Sequence, residues 1–120
     1  MSRRMDRVNG LLRREISLVI ANEMRDPRLS MMSSVTHVDT SADLRHAKVY
    51  VSVLGGQREK EATLTALRSA AGFIHRSMRD KLSLKSTPSL VFYIDDSIER
   101  GAEMLEMIKS ISPGPPKDEP

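Results

Sequence analysis

The apolar positions along the chain change their period several times, and each change predicts a new element. At the start they recur every three or four residues, so residues 3–25 are predicted to form an amphipathic helix. Its buried stripe holds Met5, Val8, Leu12, Ile16, Val19 and Ile20. Asp26-Pro27-Arg28 ends this helix, because a proline disfavours helical geometry in the residue before it. A weakly alternating strand is predicted over 31–39, and the polar residues 40–43 suit a turn.

The second half of the chain alternates between strand and helix patterns. Valines alternate with polar residues over 47–53, which predicts a half-buried strand that Gly55-Gly56 ends. Helical periodicity runs over 58–84, and an apolar run over 90–94 predicts a third strand. Asp96, with Glu99 three residues on, predicts a capped helix to about Ser110. The side chains expected to point inward from that helix are Ile98, Ala102, Leu105 and Ile108.

Gly72 interrupts the long helical pattern in its middle. Glycine inside a helix costs about 1 kcal/mol relative to alanine, so the pattern predicts a bend where another backbone comes close. After the bend, Ile74, Met78 and Leu82 form the predicted buried stripe. A different side of the same helix carries Gly72, His75, Arg76 and Arg79. Two interpretations stay open, namely an RNA backbone at the bend or simply two helices that cross closely.

This order of elements predicts an α+β fold. Two strands joined by a turn, followed by a helical crossover to a third strand, imply a three-stranded sheet with helices on one face. We expect residues 1–111 to form one domain, since 120 residues are too few to bury two separate hydrophobic cores. Residues 112–120 are rich in proline and charge, and they are expected to be disordered.

Charge is spread unevenly and favours an anionic partner. Residues 1–94 hold 16 of the 19 Lys and Arg residues but only 9 of the 16 acids, a net charge of +7. On the first helix, four arginines share one side within about 40°: Arg3, Arg7, Arg14 and Arg25. Arginine binds phosphate in a bidentate manner, although such a stripe can also be a solvated helix face. With 3% aromatic residues and no Trp, no stacking platform for bases is expected.

Other classes of function have weaker support. His37 and Asp39 share a strand face, and Asp95-Asp96 pairs two acids at a strand end, so a general acid/base site is conceivable. No nucleophile or glycine-rich loop accompanies them. The chain has no Cys, and its three histidines lack metal-ligand spacing, so no metal or cofactor is expected. A module that binds an acidic protein through the stripe of arginines is the remaining alternative. No run of about 18 apolar residues is present, so a cytoplasmic protein without membrane contact is expected. We also expect the protein to be a monomer.

Five motifs in order give the chain a resemblance to a known family. They are Asp26-Pro27-Arg28, Val35-Thr36-x-Val38, Ser41-x-Asp43-Leu44-x-x-Ala47-x-Val49-Tyr50-Val51, Ala70-x-Gly72-Phe73-Ile74, and Pro88-x-Leu90-x-Phe92-x-x-Asp95-x-Ser97-x-x-x-Gly101. Over residues 4–108 the chain resembles bacterial ribosome-binding factor A. That resemblance implies a K-homology domain of type II in which an Ala-x-Gly kink replaces the usual Gly-x-x-Gly loop.

The resemblance implies a non-enzymatic protein that binds the free small (30S) ribosomal subunit through its 16S-type rRNA. It further implies a part in late maturation, including rRNA 5′-end processing, in growth in the cold, and in release by a GTPase. His75 and Lys85 replace arginines that are common in the family, and they lose the bidentate fork. The residues expected to contact RNA are Arg3, Arg7, Arg14, Arg25, Arg28, Ala70, Gly72, His75, Arg76, Arg79, Lys81 and Lys85.

Overall fold

A computed structural model describes residues 3–22, 24, 34–82 and 86–111. Within these ranges the chain forms four helices and three strands. In chain order they are α1 (Arg3–Asn22), β1 (Ser34–Thr40), β2 (His46–Ser52), α2 (Gln57–Ser69), α3 (Ala71–Lys81), β3 (Ser89–Ile94) and α4 (Ser97–Ile111). The helix-ending Asp26-Pro27-Arg28 segment and the tail 112–120 lie outside the described residues.

The three strands form one mixed sheet in the order β1-β2-β3. β1 and β2 are antiparallel, with Val38 opposite Val49, whereas β2 and β3 are parallel, with Val49 opposite Phe92. The parallel pair needs a crossover, and α2 and α3 supply it. The predicted α+β fold is confirmed, including the type II K-homology order of elements up to β3.

A hydrogen-bonded turn connects β1 to β2. The Asp43 carboxylate accepts bonds from the Ser41 hydroxyl at 2.7 Å and from the Arg45 amide at 3.0 Å. These bonds hold the pKa of Asp43 below its usual range, because they favour the ionised carboxylate. Leu44 adopts a φ of 61°, in the left-handed region that tight turns often require. The Ser41-x-Asp43-Leu44 motif therefore encodes the geometry of this turn.

One apolar core lies between the sheet and three helices. α1 packs on β1, α2 and α3 pack on β3, and α3 lies between α1 and α2. Leu12, Ile74 and Phe92 are fully buried there, and the valines of β2 point into the same core. The helical stripe predicted for α1 is buried at Val8, Leu12, Ile16 and Val19. Burial on one face of each element thus accounts for the packing of α1 through β3.

The break between α2 and α3 occurs at Ala70, not at Gly72. Ala70 ends α2 and precedes α3 with φ −94° and ψ 1°, a small departure from helical geometry that alanine tolerates. Its amide still bonds to the Ala66 carbonyl at 3.0 Å, and its carbonyl accepts from the Ile74 amide at 2.9 Å. Gly72 lies inside the first turn of α3. The predicted end of α3 at about Leu84 was also too late, because Leu82 is already extended.

The prediction that α4 buries one face was wrong. None of the fifteen residues of α4 is buried, and Ile98, Ala102, Leu105 and Ile108 are all exposed. The cap also differs from the predicted pair of Asp96 and Glu99, since it is Asp95 that accepts a 2.9 Å bond from the Ser97 amide. Asp96 forms an ion pair with Arg100 at 2.8 Å, and Glu99 forms one with Lys60 of α2 at 2.8 Å.

Candidate nucleic-acid interface

The outer side of α3 carries an exposed basic surface. Ile74 and Met78 are buried against the sheet, so the opposite side of α3 faces solvent. Gly72, Arg76 and Arg79 lie on that side, and all three are exposed. We call these three residues the basic face. The predicted grouping of the glycine with two arginines therefore holds in the structure, although the glycine is not at the bend.

Packing within the described chain does not require glycine at position 72. A Cβ built on Gly72 would come no closer than 3.5 Å to its single described neighbour, the Arg76 guanidinium, an ordinary van der Waals distance. Close crossing of two helices therefore does not explain this glycine. No side chain caps the N-terminus of α3 among the described residues. A position without a side chain thus lies in the first turn of a helix, whose positive end favours a phosphate, although the amide at the junction already bonds to carbonyls of α2.

The arginines of α1 point in the same general direction. Arg3, Arg7 and Arg14 are exposed and lie opposite the buried stripe of α1. Because α1 packs beside α3 and both helices bury their sheet-facing sides, the two sets of arginines lie on the outer side of one helix layer. Arg25, Arg28 and Lys85, which were also predicted to contact RNA, lie outside the described residues.

His75 has a structural partner next to the basic face. Its Nε2 lies 3.0 Å from the Thr87 carbonyl oxygen. A carbonyl only accepts, so Nε2 carries the hydrogen and donates it, and the ring fastens α3 to the segment that enters β3. Only Nδ1 is left for a contact with RNA. Of the other predicted contacts, Ala70 is half-buried and Lys81 is exposed at the end of α3.

One acid lies close to the basic face. The Asp80 carboxylate is 3.9 Å from Arg79 Nε, and both side chains are more than half exposed. An exposed pair at this distance contributes little, since water and salt screen it. Arg79 therefore remains available to a phosphate.

The expectation that the chain has no stacking platform for bases stays a prediction, but the strands bring three ring side chains together. Tyr50 and Tyr93 stack at 5.6 Å on the sheet face opposite helices α1, α2 and α3, and His37 lies 5.7 Å from Tyr50. These residues are opposite one another on three adjacent strands, so they form one aromatic row across the sheet. Phe73, next to Gly72, is also 40% exposed. Only the strand register brings the two tyrosines together, which is why composition did not reveal them.

Two of the three acids considered for catalysis, Asp95 and Asp96, have structural partners. Asp95 accepts a 2.6 Å bond from the Thr36 hydroxyl as well as the bond from Ser97. These bonds lower the pKa of Asp95 to about 2. Among the described residues no group of three or more His, Cys, Asp or Glu could hold a metal ion. In the same part of the chain, no helix has the length and hydrophobicity needed to cross a membrane.

Comparison with known proteins decides the family. Residues 4–108 match the family model of ribosome-binding factor A. The chain belongs to the ribosome-binding factor A family. A ribosome-binding factor A of Acetivibrio thermocellus is 48% identical over 109 residues, which cover 91% of this chain and 89% of the relative.

Solved structures agree with this membership. The solution NMR structure of a Thermotoga maritima protein described as a ribosome binding factor A has a TM-score of 0.69 and 30% identity, over 78% of this chain and 88% of that one. A Thermus thermophilus ribosome binding factor A, a homology model fitted into a cryo-EM map of a 30S complex, has a TM-score of 0.61 and 25% identity. The match covers 73% of this chain and 91% of the Thermus chain.

Proposed function

We propose that this protein is an assembly factor that binds the free small ribosomal subunit through its rRNA. The family membership supports ribosome binding, and the Thermus relative was fitted into a map of a 30S complex. The finer parts of the proposal rest on the family resemblance. We include here a role in late subunit maturation with rRNA 5′-end processing, a contribution to growth in the cold, and release by a GTPase. The protein acts in the cytoplasm as a monomer without catalytic activity.

The observation that carries the RNA-binding proposal is the basic face of α3. No packing contact among the described residues requires glycine at position 72, and two exposed arginines lie on the same side of the helix. In the proposed complex a phosphate approaches Gly72 and the first amides of α3, while Arg76 and Arg79 form charge-assisted bonds to neighbouring phosphates. Arg3, Arg7 and Arg14 then contact a further stretch of the same folded RNA.

These contacts reach the RNA backbone, so recognition depends mainly on RNA shape. Affinity should fall steeply with salt, because each neutralised phosphate releases counterions on binding. The aromatic row on the sheet and Phe73 are the places where an unpaired base could stack in addition.

Reversing the charge of the basic face tests the proposal. The double variant Arg76→Glu, Arg79→Glu should lose co-sedimentation with small subunits in a sucrose gradient, whereas its melting temperature should change little, because both side chains are exposed. Arg45→Glu, Arg58→Glu is the matched control, with the same change of charge on exposed residues elsewhere. A folded basic-face variant that still co-sediments like the wild type would contradict the proposed surface.

Nuclease treatment separates RNA binding from the alternative of an acidic protein partner. The complex with the small subunit should dissociate when its RNA is digested. A complex that survived complete digestion would favour a protein partner at the basic face.

Gly72→Ala tests the close approach of the RNA backbone. The added methyl group meets only ordinary contacts, and alanine favours the helix, so the free energy of unfolding should stay the same or rise by up to about 1 kcal/mol. Affinity for the small subunit should nevertheless fall, because the Cβ would stand where the phosphate approaches. Unfolding in urea and filter binding measure the two effects. Unchanged affinity would show that the backbone does not come close at this position.

A further inference from the structure

The aromatic row lies on the sheet face opposite α1, α2 and α3, which we call the outer sheet face. Tyr50 and Tyr93 stack with ring centroids 5.6 Å apart and planes 26° apart, and His37 lies 5.7 Å from Tyr50 with planes 38° apart. The side chain of Tyr93 is 38% exposed. Since the three rings follow one another across β1, β2 and β3, Tyr50 has a ring on each side. Tyr93, at the end of the row, turns one ring face away from it.

That ring face of Tyr93 lies at an edge of the sheet. β3 is the last strand in the order β1-β2-β3. Because Ser89 and Asp95 donate their amide hydrogens towards β2, the backbone groups of the even-numbered residue Phe92 point away from β2. There the Arg68 guanidinium of α2 donates to the Phe92 carbonyl at 3.5 Å. A cation therefore lies along the same edge as the ring face of Tyr93.

The charges around this edge indicate what kind of ligand fits. Asp95 and Asp96, the acids that follow β3, are already hydrogen-bonded or ion-paired within the chain. On the outer sheet face, Lys48 and Asp39 are opposite each other in the register and balance in charge. A flat, uncharged group therefore suits the aromatic row, whereas an anion suits Arg68. A nucleotide offers both, since its base stacks on aromatic rings and its phosphate binds arginine.

We infer that an unpaired nucleotide of RNA binds at the β3 end of the aromatic row, with its base stacked on Tyr93 and its phosphate on Arg68. This inference rests on the proposed function and deepens it, because it adds an unpaired segment to the folded RNA at the basic face. Stacking on an aromatic side chain contributes about fivefold to a hundredfold in affinity for each base, whichever base it is. The inference opposes the expectation from composition that no base stacks, and binding measurements decide between the two.

The two tyrosines make the site directly observable by NMR. The chain contains two Tyr and no Trp, so Tyr50 and Tyr93 supply all of its tyrosine ring signals. A single-stranded oligoadenylate of about six nucleotides should shift the ring protons of Tyr93 upfield, because the stacked base shields them. Tyr50 should shift less, since a ring already lies on each side of it. A fully paired RNA duplex should shift neither. If the oligoadenylate also shifts neither, the inference is overturned.

Substitutions at Tyr93 separate base stacking from the support that the ring gives its own sheet. Tyr93→Phe keeps the ring and should bind a fluorescently labelled oligoadenylate within about twofold of the wild type, whereas Tyr93→Leu should bind it at least about fivefold more weakly. Val91→Leu, at the next outward position of β3, is the matched control and should bind like the wild type. Circular dichroism checks that each variant is folded. Equal affinities of the wild type and a folded Tyr93→Leu variant would overturn the inference.

Arg68 should contribute the salt-dependent part of this binding. Arg68→Gln keeps a donor for the Phe92 carbonyl and removes the charge, so it should weaken oligoadenylate binding and flatten its dependence on salt. Arg58→Gln, also exposed on α2, is the matched control and should change neither. An Arg68→Gln variant with the affinity and salt dependence of the wild type would overturn the phosphate contact.

Crosslinking to the small subunit identifies what covers the outer sheet face. A photocrosslinking residue at position 91, where the side chain is 42% exposed, should give a product that nuclease treatment shortens. A product that nuclease leaves unchanged would assign this face to a protein partner and overturn the inference.

The two RNA surfaces can fail separately. The double variant Arg76→Glu, Arg79→Glu should lose the small subunit but keep the Tyr93 shift with the short oligoadenylate, because the basic face and the aromatic row lie on opposite sides of the sheet. If the wild type binds the oligoadenylate at Tyr93 but does not co-sediment with the small subunit, the proposed function fails and the stacking site stands. If it co-sediments but no single strand shifts the Tyr93 ring protons, the inference about the aromatic row fails alone.

Discussion

Helices α1 and α4 have similar sequence patterns and opposite surroundings. Each repeats apolar residues every three or four positions. α1 buries four of them against β1 and α3, whereas α4 buries none. Their charges also differ, since arginines line the solvent side of α1, whereas three glutamates share the side of α4 opposite its apolar residues. An amphipathic pattern thus predicts that a face will be covered, but the covering surface can belong to another molecule.

The junction between the two regions is built from a few polar bonds. Asp95 bonds to Thr36 of β1 and to the first amide of α4, so one carboxylate links the sheet to the helix. Lys60 and Glu99 add an ion pair between α2 and α4. Unfolding measurements on variants can distinguish a packed region such as α1 from a helix that a few polar bonds attach, such as α4.

Truncation of one leucine in α1 and one in α4 should give the largest difference in the free energy of unfolding. Leu12→Ala removes a fully buried side chain of α1 and should lower the free energy of unfolding by about 2–5 kcal/mol. Leu105→Ala removes a side chain that is 59% exposed, and it should change the free energy by less than about 0.5 kcal/mol. Urea unfolding of the isolated protein measures both.

The two substitutions are matched, because leucine and alanine both favour helix. A large loss for Leu105→Ala would mean that α4 packs on its own chain in solution.

The contrast between these leucines shows what the sequence could predict. Buried stripes on α1 and α3 and the alternating valines of β2 follow from periodicity, because one face of each meets the core. Leu105 has the same periodicity as Leu12, and nothing local distinguishes a face that meets its own core from one that does not. The break at Ala70 was misplaced because alanine can adopt the small change in ψ that the break requires.

In the candidate site, too, some features follow from the local sequence and others only from the folded chain. Grouping of Gly72 with Arg76 and Arg79 needed only helix geometry, so the sequence could predict it. The bond from His75 to Thr87 and the aromatic row depend on how segments distant in sequence pack together. The aromatic row became visible only with the register of the three strands, and the His75 bond only with the packing of α3 beside the segment that enters β3.

Acid should weaken the junction at Asp95 in a defined pH window. Bonds from Thr36 and Ser97 lower the pKa of Asp95 to about 2 from an ordinary value of 3.8. The folded state therefore gains stability from the ionised carboxylate above about pH 4, and it loses this gain as the pH falls towards 2. At neutral pH, Asp95→Asn should lower the free energy of unfolding by about 1–2 kcal/mol. This difference from the wild type should shrink as the pH falls from about 4 towards 2.

Thermal or urea unfolding across the acid range measures this difference. Thr36→Val removes the 2.6 Å donor and should shift the loss of stability to higher pH. If the free energies of unfolding of the wild type and of Asp95→Asn differed by the same amount at every pH, the carboxylate would not be held by these bonds.

The smallest effect is expected for the ion pair between α2 and α4. Lys60 Nζ and the Glu99 carboxylate are 2.8 Å apart, and the Glu99 side chain is 46% exposed. Each partner favours the charged form of the other, so the pKa of Lys60 is raised and that of Glu99 is lowered. Water screens such a pair, and a double-mutant cycle of Lys60→Ala and Glu99→Ala should give little coupling energy.

The ion pair should matter more for where α4 points than for stability. Loss of the pair frees α4 to sample more directions relative to α2. The single variant Glu99→Ala should then show faster amide hydrogen exchange at the start of α4, while its unfolding in urea hardly changes. A strong coupling between Lys60 and Glu99 in the isolated protein would instead make α4 an integral part of the packed region, and the contrast with α1 would disappear.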